Sequence, residues 1–212
     1  MRTGFLPRTR LLCFVLLATL AGGVHAAERV DLLIRNGTIY DGRGGAPVRG
    51  DVAVRDGRVI AMGTLSDYSA TREVNANGLA VAPGFINTLS WATESLLYDG
   101  RGMSDIKQGV TLEIFGEGNS MGPVNDRIRD EMLKTQGDIR FDVSWNTLGE
   151  YLETLVKKGV SPNVASFIGA TTARAYVIGF DDRAPTAEET KRMQELVRQA
   201  MREGAQIGRA HV

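Results

Sequence analysis

The chain has 212 residues, of which 43% are hydrophobic and 24% are charged, as is ordinary for a soluble globular protein of one or two domains. Its formal net charge of zero gives no electrostatic reason to expect nucleic acid or an anionic membrane as a partner. The 25 glycines predict many turns and close backbone approaches.

Residues 1–26 are predicted to be a cleaved signal peptide. Three arginines within the first ten residues precede an apolar run over residues 11–21, and Val24-His25-Ala26 has the small residues of a cleavage site. The run is shorter than the about 20 apolar residues that a membrane-spanning helix needs. We therefore expect an exported protein, periplasmic in a Gram-negative cell, that has no membrane association after cleavage. The only cysteine, Cys13, would leave with this segment.

Residues 28–82 are predicted to form short strands. The clearest hairpin signal is Asp56-Gly57 between the alternating runs 50–55 and 58–62, because both central positions of such a turn need a positive φ. Asn36-Gly37 and Asn77-Gly78 repeat this scheme, between runs 31–35 and 38–40 and between runs 72–75 and 79–81. We expect residues 27–82 to be a small β domain, part of a β-sandwich.

Alternating strands and helices are predicted after Pro83. Strands are expected at 109–116 and 163–169, and helices at 126–135 and 147–158, the second with a Thr147–Glu150 capping box and Gly159 at its end. Thr186 and Glu189 form a capping box for the last helix, whose apolar stripe is Met193, Leu196, Val197, Ala200 and Met201. This order indicates parallel βα units. An α/β fold follows, in which residues 83–206 hold about three units and the start of a fourth.

Several short segments together resemble the amidohydrolase superfamily, and within it the N-acyl-D-amino-acid deacylase (D-aminoacylase) group. The similar segments are Asp31-Leu32-Leu33-Ile34-Arg35-Asn36-Gly37, Asp41-Gly42, Ala82-Pro83-Gly84-Phe85-Ile86, Gln108-Gly109-Val110-Thr111 and Gly204-Ala205. The resemblance covers residues 30–206. It implies a composite β-sandwich domain followed by a (β/α)₈ TIM-type barrel, of which this chain would hold the N-terminal part of the sandwich and the first half of the barrel.

The family's metal-binding signature is altered in this chain. The resemblance implies P-G-F-I-D-x-H-x-H at the first barrel strand, where two histidines bind a divalent metal, usually zinc, which activates water and polarises the amide carbonyl. Here Asn87 stands for the Asp, Leu89 for the first His and Trp91 for the second. Neither Leu89 nor Trp91 has a lone pair that can replace imidazole, so no metal ligand is assigned on this strand.

Glu117, Trp91 and an arginine are the candidates for the functional site. Glu117, in the loop where the resemblance implies a Cys ligand, is either a metal ligand or general base, or a solvated loop carboxylate. Trp91 either stacks on a substrate or packs at the barrel rim. Either Arg174 or Arg183 would bind a substrate carboxylate. The alternative for Asp181-Asp182-Arg183 is a solvated turn without a role in binding.

Other acidic residues have less specific interpretations. Glu113 is expected to be a buried partner for Lys or Arg, and Glu94 and Asp99 either line the mouth of the barrel or lie in a surface helix or loop.

The last six residues, 207–212, match the translation of the start of a common sequencing adapter, and we expect them to be an artefact of a truncated gene rather than native sequence. The two histidines of the chain, His25 and His211, lie in the predicted signal peptide and in this tail. The native mature part is therefore expected to lack histidine. A half-barrel with open sheet edges is expected neither to fold stably alone nor to be active.

The leading functional hypothesis is an exported hydrolase of non-peptide carbon–nitrogen bonds, acting on a small N-acyl amino acid or related amide, with a degenerate metal site. The alternative is a non-catalytic binding protein that kept the amidohydrolase fold, since fold does not imply function. A third possibility is a stand-alone β-rich exported module with an α/β appendage, which predicts cooperative unfolding of residues 27–206.

Overall fold

The structure, a computed structural model, describes residues 27–206. The predicted signal peptide with Cys13 and His25, and the suspected artefact with His211, lie outside the described residues. The chain divides between Pro83 and Gly84 into two compact units, which we call the β unit and the α/β unit. Within residues 27–206, no helix combines the length and the apolar character needed to cross a membrane.

The described part of the β unit contains one five-stranded sheet. Its strands run in the order β3-β2-β1-β4, and β5 also pairs with β1. The pairs β1–β2 and β2–β3 are antiparallel, whereas β4 and β5 both run parallel to β1. The strands are β1 (Glu28–Ile39), β2 (Val48–Arg55), β3 (Arg58–Gly63), β4 (Tyr68–Asn75) and β5 (Ala80–Val81).

The hairpin prediction at Asp56-Gly57 is confirmed, because both residues have positive φ and β2 and β3 pair around them. The turn prediction at Asn36-Gly37 is wrong. Both residues lie inside the continuous strand β1, where the register against β2 shifts between Ile34 and Gly37 in the manner of a β-bulge. Asn36 takes the positive φ of 62° that such a bulge needs.

The hairpin expected around Asn77-Gly78 is also wrong. β4 and β5 do not pair with each other: β4 pairs with residues 28–35 of β1, and β5 pairs with Thr38 and Ile39 farther along the same edge. The reason is the length of β1, since its 12 residues can accept two short strands in succession.

One side of the sheet supplies a small core, in which Val30, Leu33, Ala53 and Leu65 are buried. Ile34, Val52 and Met62 lie directly opposite one another across three strands, and the groove that they line with neighbouring apolar residues is open. Met62 is 50% exposed there. The described residues thus supply one sheet of the expected β-sandwich and no second layer for this face.

The α/β unit contains a three-stranded parallel sheet in the order β6-β7-β8. After α6 the chain returns beside β8, where Phe167 and Gln206 form a parallel bridge. This bridge agrees with the expected start of a fourth βα unit. The elements are β6 (Phe85–Asn87), α1 (Ser95–Tyr98), α2 (Met103–Ile106), β7 (Val110–Phe115), α3 (Asp126–Thr135), α4 (Leu148–Lys158), β8 (Asn163–Ser166), α5 (Ala170–Val177) and α6 (Ala187–Arg202).

The predicted helix boundaries are confirmed for α3, α4 and α6. Both expected capping boxes are present, at Thr147–Glu150 and at Thr186–Glu189, and Gly159 ends α4 with φ 80°. Leu196 and Ala200 of the predicted α6 stripe are buried, whereas Met201 is 37% exposed. No sequence pattern predicts α5, whose N-cap, Gly169, provides no side-chain cap.

The core of the α/β unit is built around three aromatic residues from different segments. Trp145 and Tyr151 have ring centroids 5.2 Å apart, and Tyr151 meets Phe115 of β7 edge-on at 6.0 Å. The Trp145 indole N–H donates to the carbonyl of Met121 at 2.5 Å. These contacts hold α4 and the segment before it against the sheet, beneath the loop that follows β7.

Candidate functional site

A cleft of about 560 Å³ opens in the α/β unit, lined by residues that follow the carboxyl ends of β6 and β7. This is the edge of a parallel α/β sheet at which ligand sites occur. Helices α3 and α5 supply the opposite walls. The residues that line it are Leu89, Ser90, Trp91, Thr93, Glu94, Gly116, Glu117, Gly118, Asn119, Ser120, Met121, Ile128, Glu131, Met132, Thr135, Thr171, Thr172, Ala175 and Phe180.

Ser90 fixes the wall that follows β6. Its backbone N–H donates to the carbonyl of Ile114 at 2.9 Å, which continues the β6–β7 pairing beyond Asn87. Its hydroxyl donates to Oε2 of Glu113 at 2.5 Å and accepts the N–H of Ala92 at 3.1 Å. The side chain that stands between the two altered signature positions therefore joins strand β6 to strand β7. No sequence pattern singles out Ser90, although it lies inside the signature.

Glu113 is fully buried, as expected, but its described partner is the hydroxyl of Ser90 and not a Lys or Arg. Within residues 27–206 its Oε1 has no hydrogen-bond partner. The expectation of a cationic partner is wrong because the residues opposite Glu113 in the sheet are Asn87 on β6 and Val164 on β8.

Tyr151 of α4 also contacts the wall that follows β6. Its hydroxyl donates to the carbonyl of Thr93 at 2.9 Å, next to the cleft residue Glu94. Burial raises the pKa of Tyr151, and the nearby carboxylates of Glu94 and Glu113 raise it further. The phenol therefore stays protonated and acts as a fixed donor.

The loop after β7 is held by close packing against the start of α5. A Cβ on Gly116 would lie 2.6 Å from the carbonyl oxygen of Phe167, and a Cβ on Gly169 would lie 2.5 Å from that of Gly118. Ser120 donates its N–H to the hydroxyl of Thr172 at 2.8 Å and accepts the N–H of Gly169 at 3.1 Å. Glu117 is thus presented on a backbone with little room to move.

The polar character of the cleft comes from carboxylates and neutral side chains. Glu94, Glu117 and Glu131 all line it, and none of the described residues that line it is Lys, Arg or His. Glu131 is a further residue that sequence reasoning missed. It lies on α3 three residues after Ile128, which also lines the cleft, so helical spacing predicts that the two share a face of α3 but not that this face borders the cleft.

The structure brings two of the three predicted site residues together. Glu117 and Trp91 line the same cleft, where Trp91 is 86% exposed and does not pack against the described part of the rim. Leu89, at the other altered position, is 49% exposed in the same wall. The roles of Glu117 and Trp91 stay predictions.

Arg174 is not among the residues that line the cleft. Its guanidinium donates to the carbonyls of Asp181 and Arg183 at 2.9 and 2.7 Å and so closes the turn after α5. Arg183 pairs with Glu189 at 2.6 Å, and this partner raises the pKa of Arg183. A substrate-binding role for Arg174 stays a prediction, without support from its position.

Glu94 and Asp99 have separate surroundings. Glu94 lines the cleft, whereas the partly exposed Asp99 pairs with Arg101 at 2.8 Å. The Arg101 guanidinium lowers the pKa of Asp99 to about 2.

No family model matches the chain. It is 36% identical over 183 residues to D-aminoacylase of Alcaligenes xylosoxydans xylosoxydans, a match that covers 84% of this chain and 37% of that protein. The chain therefore spans a little over a third of the length of this curated relative.

Solved structures of the same kind have a similar fold. A D-aminoacylase described as defining a novel subset of amidohydrolases has a TM-score of 0.71 and 31% identity, over 83% of this chain and 37% of that one. The N-acyl-D-glutamate deacylase of Bordetella bronchiseptica, solved with zinc and a phosphonate mimic of the tetrahedral intermediate, has a TM-score of 0.73 and 29% identity, over 84% and 37%.

The described residues do not fit the zinc site that these relatives imply. Residues 27–206 contain neither His nor Cys, and they hold no group of three or more His, Cys, Asp or Glu side chains placed to bind a metal ion. At the positions of the two signature histidines, Leu89 and Trp91 offer no donor atom. The sequence comparison and the structure comparisons nevertheless identify the same kind of protein over most of the chain. Over the residues that align, this chain is a relative of D-aminoacylase and the N-acyl-D-amino-acid deacylases, within the amidohydrolases.

Proposed function

We propose that the chain is part of an exported hydrolase of non-peptide amide bonds, whose substrate is a small N-acyl amino acid or a related amide. The observation that carries this proposal is the 36% identity to D-aminoacylase over 84% of the chain. The position of the cleft supports it, since the cleft lies at the carboxyl ends of parallel strands, where family and fold both favour a site. Export, to the periplasm in a Gram-negative cell, follows from the signal peptide predicted at residues 1–26.

The architecture that we propose is the first part of a composite β-sandwich followed by the first half of a (β/α)₈ barrel. The five-stranded sheet of the β unit supports the first part. Three parallel strands and the Phe167–Gln206 bridge support the second, because each strand is followed by helix and the chain then returns to the same sheet.

Within this function Glu117 is the proposed general base of the cleft, and Trp91 is the proposed surface for an apolar part of the substrate. Glu117 lies on the tightly packed loop after β7, and a carboxylate in that position can accept a proton from water or from a substrate group. An indole ring that is 86% exposed offers a large face for stacking. A divalent metal would activate water in such a hydrolase, but the described residues supply no donor set for one.

The test uses the protein expressed from its intact gene. It is incubated with a panel of N-acetyl-D-amino acids and their L enantiomers, and released primary amine is measured. We expect amine release from D substrates in the wild type, and a loss of about 100-fold or more in Glu117→Gln, because the amide cannot accept a proton. Equal rates for Glu117→Gln and the wild type would contradict the role of Glu117, and no release from any amide would contradict the proposed function.

A second candidate is a binding protein without catalysis, favoured by the replacement of both signature histidines by Leu89 and Trp91. It predicts that N-acyl amino acids bind, as heat measured by titration calorimetry, without any amine release. Turnover of any of these amides excludes it.

A further inference from the structure

The buried carboxylate of Glu113 is not explained by its structural contacts. One oxygen accepts the hydroxyl of Ser90, and the other has no hydrogen-bond partner in the part of the chain that the structure describes. A buried polar atom without a partner has lost its hydration without any compensating hydrogen bond. Gln at this position would accept the same hydrogen bond in about the same space. The structural contacts therefore do not require a carboxyl group here, and this points to a chemical role.

Ser90 connects this carboxylate to the cleft. The residue is 6% exposed and lines the cleft together with its sequence neighbours Leu89 and Trp91. Its O–H points to Oε2 of Glu113 at 2.5 Å, while the N–H of Ala92 donates to the same hydroxyl oxygen at 3.1 Å. The N–H of Ala92 is thus placed to stabilise negative charge that develops on Oγ as the proton leaves.

A hydroxyl within hydrogen-bond distance of a buried base is the arrangement of an activated nucleophile. Tyr151 donates its hydroxyl to the carbonyl of Thr93 and therefore does not accept the proton of Ser90. Glu113 is the described side chain to which the hydroxyl of Ser90 donates, so it is placed to receive that proton.

We propose that Ser90 is a nucleophile for acyl transfer at the cleft and that Glu113 is its general base. The proposal rests on the proposed function in that the substrate is an amide. Oγ of Ser90 bonds to the amide carbonyl carbon while its proton moves to Oε2 of Glu113. The C–N bond then breaks, and Glu113 returns the proton to the departing nitrogen, which leaves an acyl ester on Ser90 and a free amine.

Water completes the reaction, and Glu117 is then the general base, as proposed above. The water oxygen bonds to the ester carbon as one of the water protons moves to Glu117. The bond from that carbon to Oγ then breaks, the proton returns to Oγ, and the carboxylic acid is released. The nucleophile and the proton acceptors of every step lie within residues 27–206. Ser90 would thus supply a nucleophile at the point where Leu89 and Trp91 replace the signature histidines.

The test is covalent labelling with a fluorophosphonate, which phosphonylates activated serine hydroxyls with loss of fluoride. On the protein expressed from its intact gene, we expect one adduct, located by peptide mass spectrometry at Ser90. Ser104 is the matched control within the same chain, because its exposed hydroxyl donates to the carboxylate of Asp105 at 2.9 Å without lining the cleft. Adducts on Ser104 and Ser90 at similar rates would show general reactivity and overturn the proposal.

Glu113→Gln separates chemistry from structure. Gln keeps the acceptor for Ser90 but cannot take a proton, so we expect labelling at Ser90 to slow about 100-fold or more while the melting temperature stays equal or rises. Labelling at the wild-type rate in Glu113→Gln, or an unlabelled Ser90 in folded wild-type protein, overturns the proposal. Amine release from amides is measured in parallel. Turnover without labelling contradicts only the nucleophile, and labelling without turnover contradicts only the proposed substrate class.

Discussion

The carboxylate of Asp51 on β2 accepts the backbone N–H of Asn36 at 2.9 Å, so a side chain from one strand closes the bulge of its neighbour. The same carboxylate accepts from the guanidinium of Arg35 at 3.2 Å. Burial acts to raise the pKa of Asp51, but the N–H of Asn36 and the charge of Arg35 outweigh it and lower this pKa.

Replacement of Asp51 by Asn should destabilise the β unit by about 1–3 kcal/mol, because charge-assisted hydrogen bonds are lost. Since the folded-state pKa lies below the unfolded value of about 3.9, the carboxylate stabilises the fold above that pH, and this stabilisation is lost as the pH falls through the folded pKa. Urea unfolding at several pH values should show a weaker acid dependence in Asp51→Asn. The exposed Asp67→Asn is the control, and an unchanged acid dependence in Asp51→Asn would contradict the assignment.

Gly37→Ala should destabilise the β unit by about 1–3 kcal/mol, because its new Cβ would collide with Cγ2 of Val81 on β5. Gly45→Ala is the matched control. An added Cβ there meets nothing within 4 Å and no positive φ is required, so the control should be neutral or slightly stabilising. Thermal unfolding of both variants measures the difference, and equal melting temperatures would show that β5 does not pack on β1 as described.

The two tryptophans should behave as opposites. Trp145 is 1% exposed and donates to the carbonyl of Met121, so Trp145→Ala should cost about 3–5 kcal/mol. Trp91→Ala should change the free energy of unfolding by no more than about 0.5 kcal/mol. Iodide should quench the fluorescence of Trp91 and spare that of Trp145. Quenching that persists unchanged in Trp91→Ala would contradict the exposure of that ring.

The start of α6 should loosen in acid. The Arg183 guanidinium, together with the N–H of Thr186, lowers the pKa of Glu189 to about 2. Its contribution is therefore complete above the unfolded pKa of about 4.3 and is lost as the pH falls toward 2. Hydrogen exchange of the amides at 186–189 should accelerate over this range in the wild type and not in Glu189→Gln. Glu188→Gln, in the same turn, should keep the wild-type dependence.

Short sequence motifs correctly predicted the helices and the hairpin whose ends are determined by residues close in sequence. Capping boxes placed α4 and α6, and Asp56-Gly57 placed the β2–β3 hairpin. The Asn36-Gly37 prediction failed because the same two residues can serve a turn or a bulge. The choice depends on Val81, which lies more than forty positions away and packs against Gly37.

The candidate site likewise contains residues that the sequence predicts and residues whose positions depend on long-range contacts. Glu117 and Trp91 were predictable from the family resemblance, since each stands at a position of a known signature. The Ser90–Glu113 pair depends on the register of β6 against β7, which no local pattern specifies. Glu131 reaches the cleft only because α3 packs beside α5, so its place depends on tertiary contacts.

The packing of the loop after β7 bears on how such a cleft can evolve. Gly116, Gly122 and Gly169 leave no space for a Cβ, whereas a Cβ on Gly118 would meet no atom within 4 Å. The loop therefore combines backbone positions that tolerate no side chain with one that is open to any. Mutation at Gly118 can add a thiol, a carboxylate or an imidazole beside Glu117 without repacking the scaffold. The chemical groups at this cleft can therefore differ between related proteins while the packing of the surrounding loop stays the same.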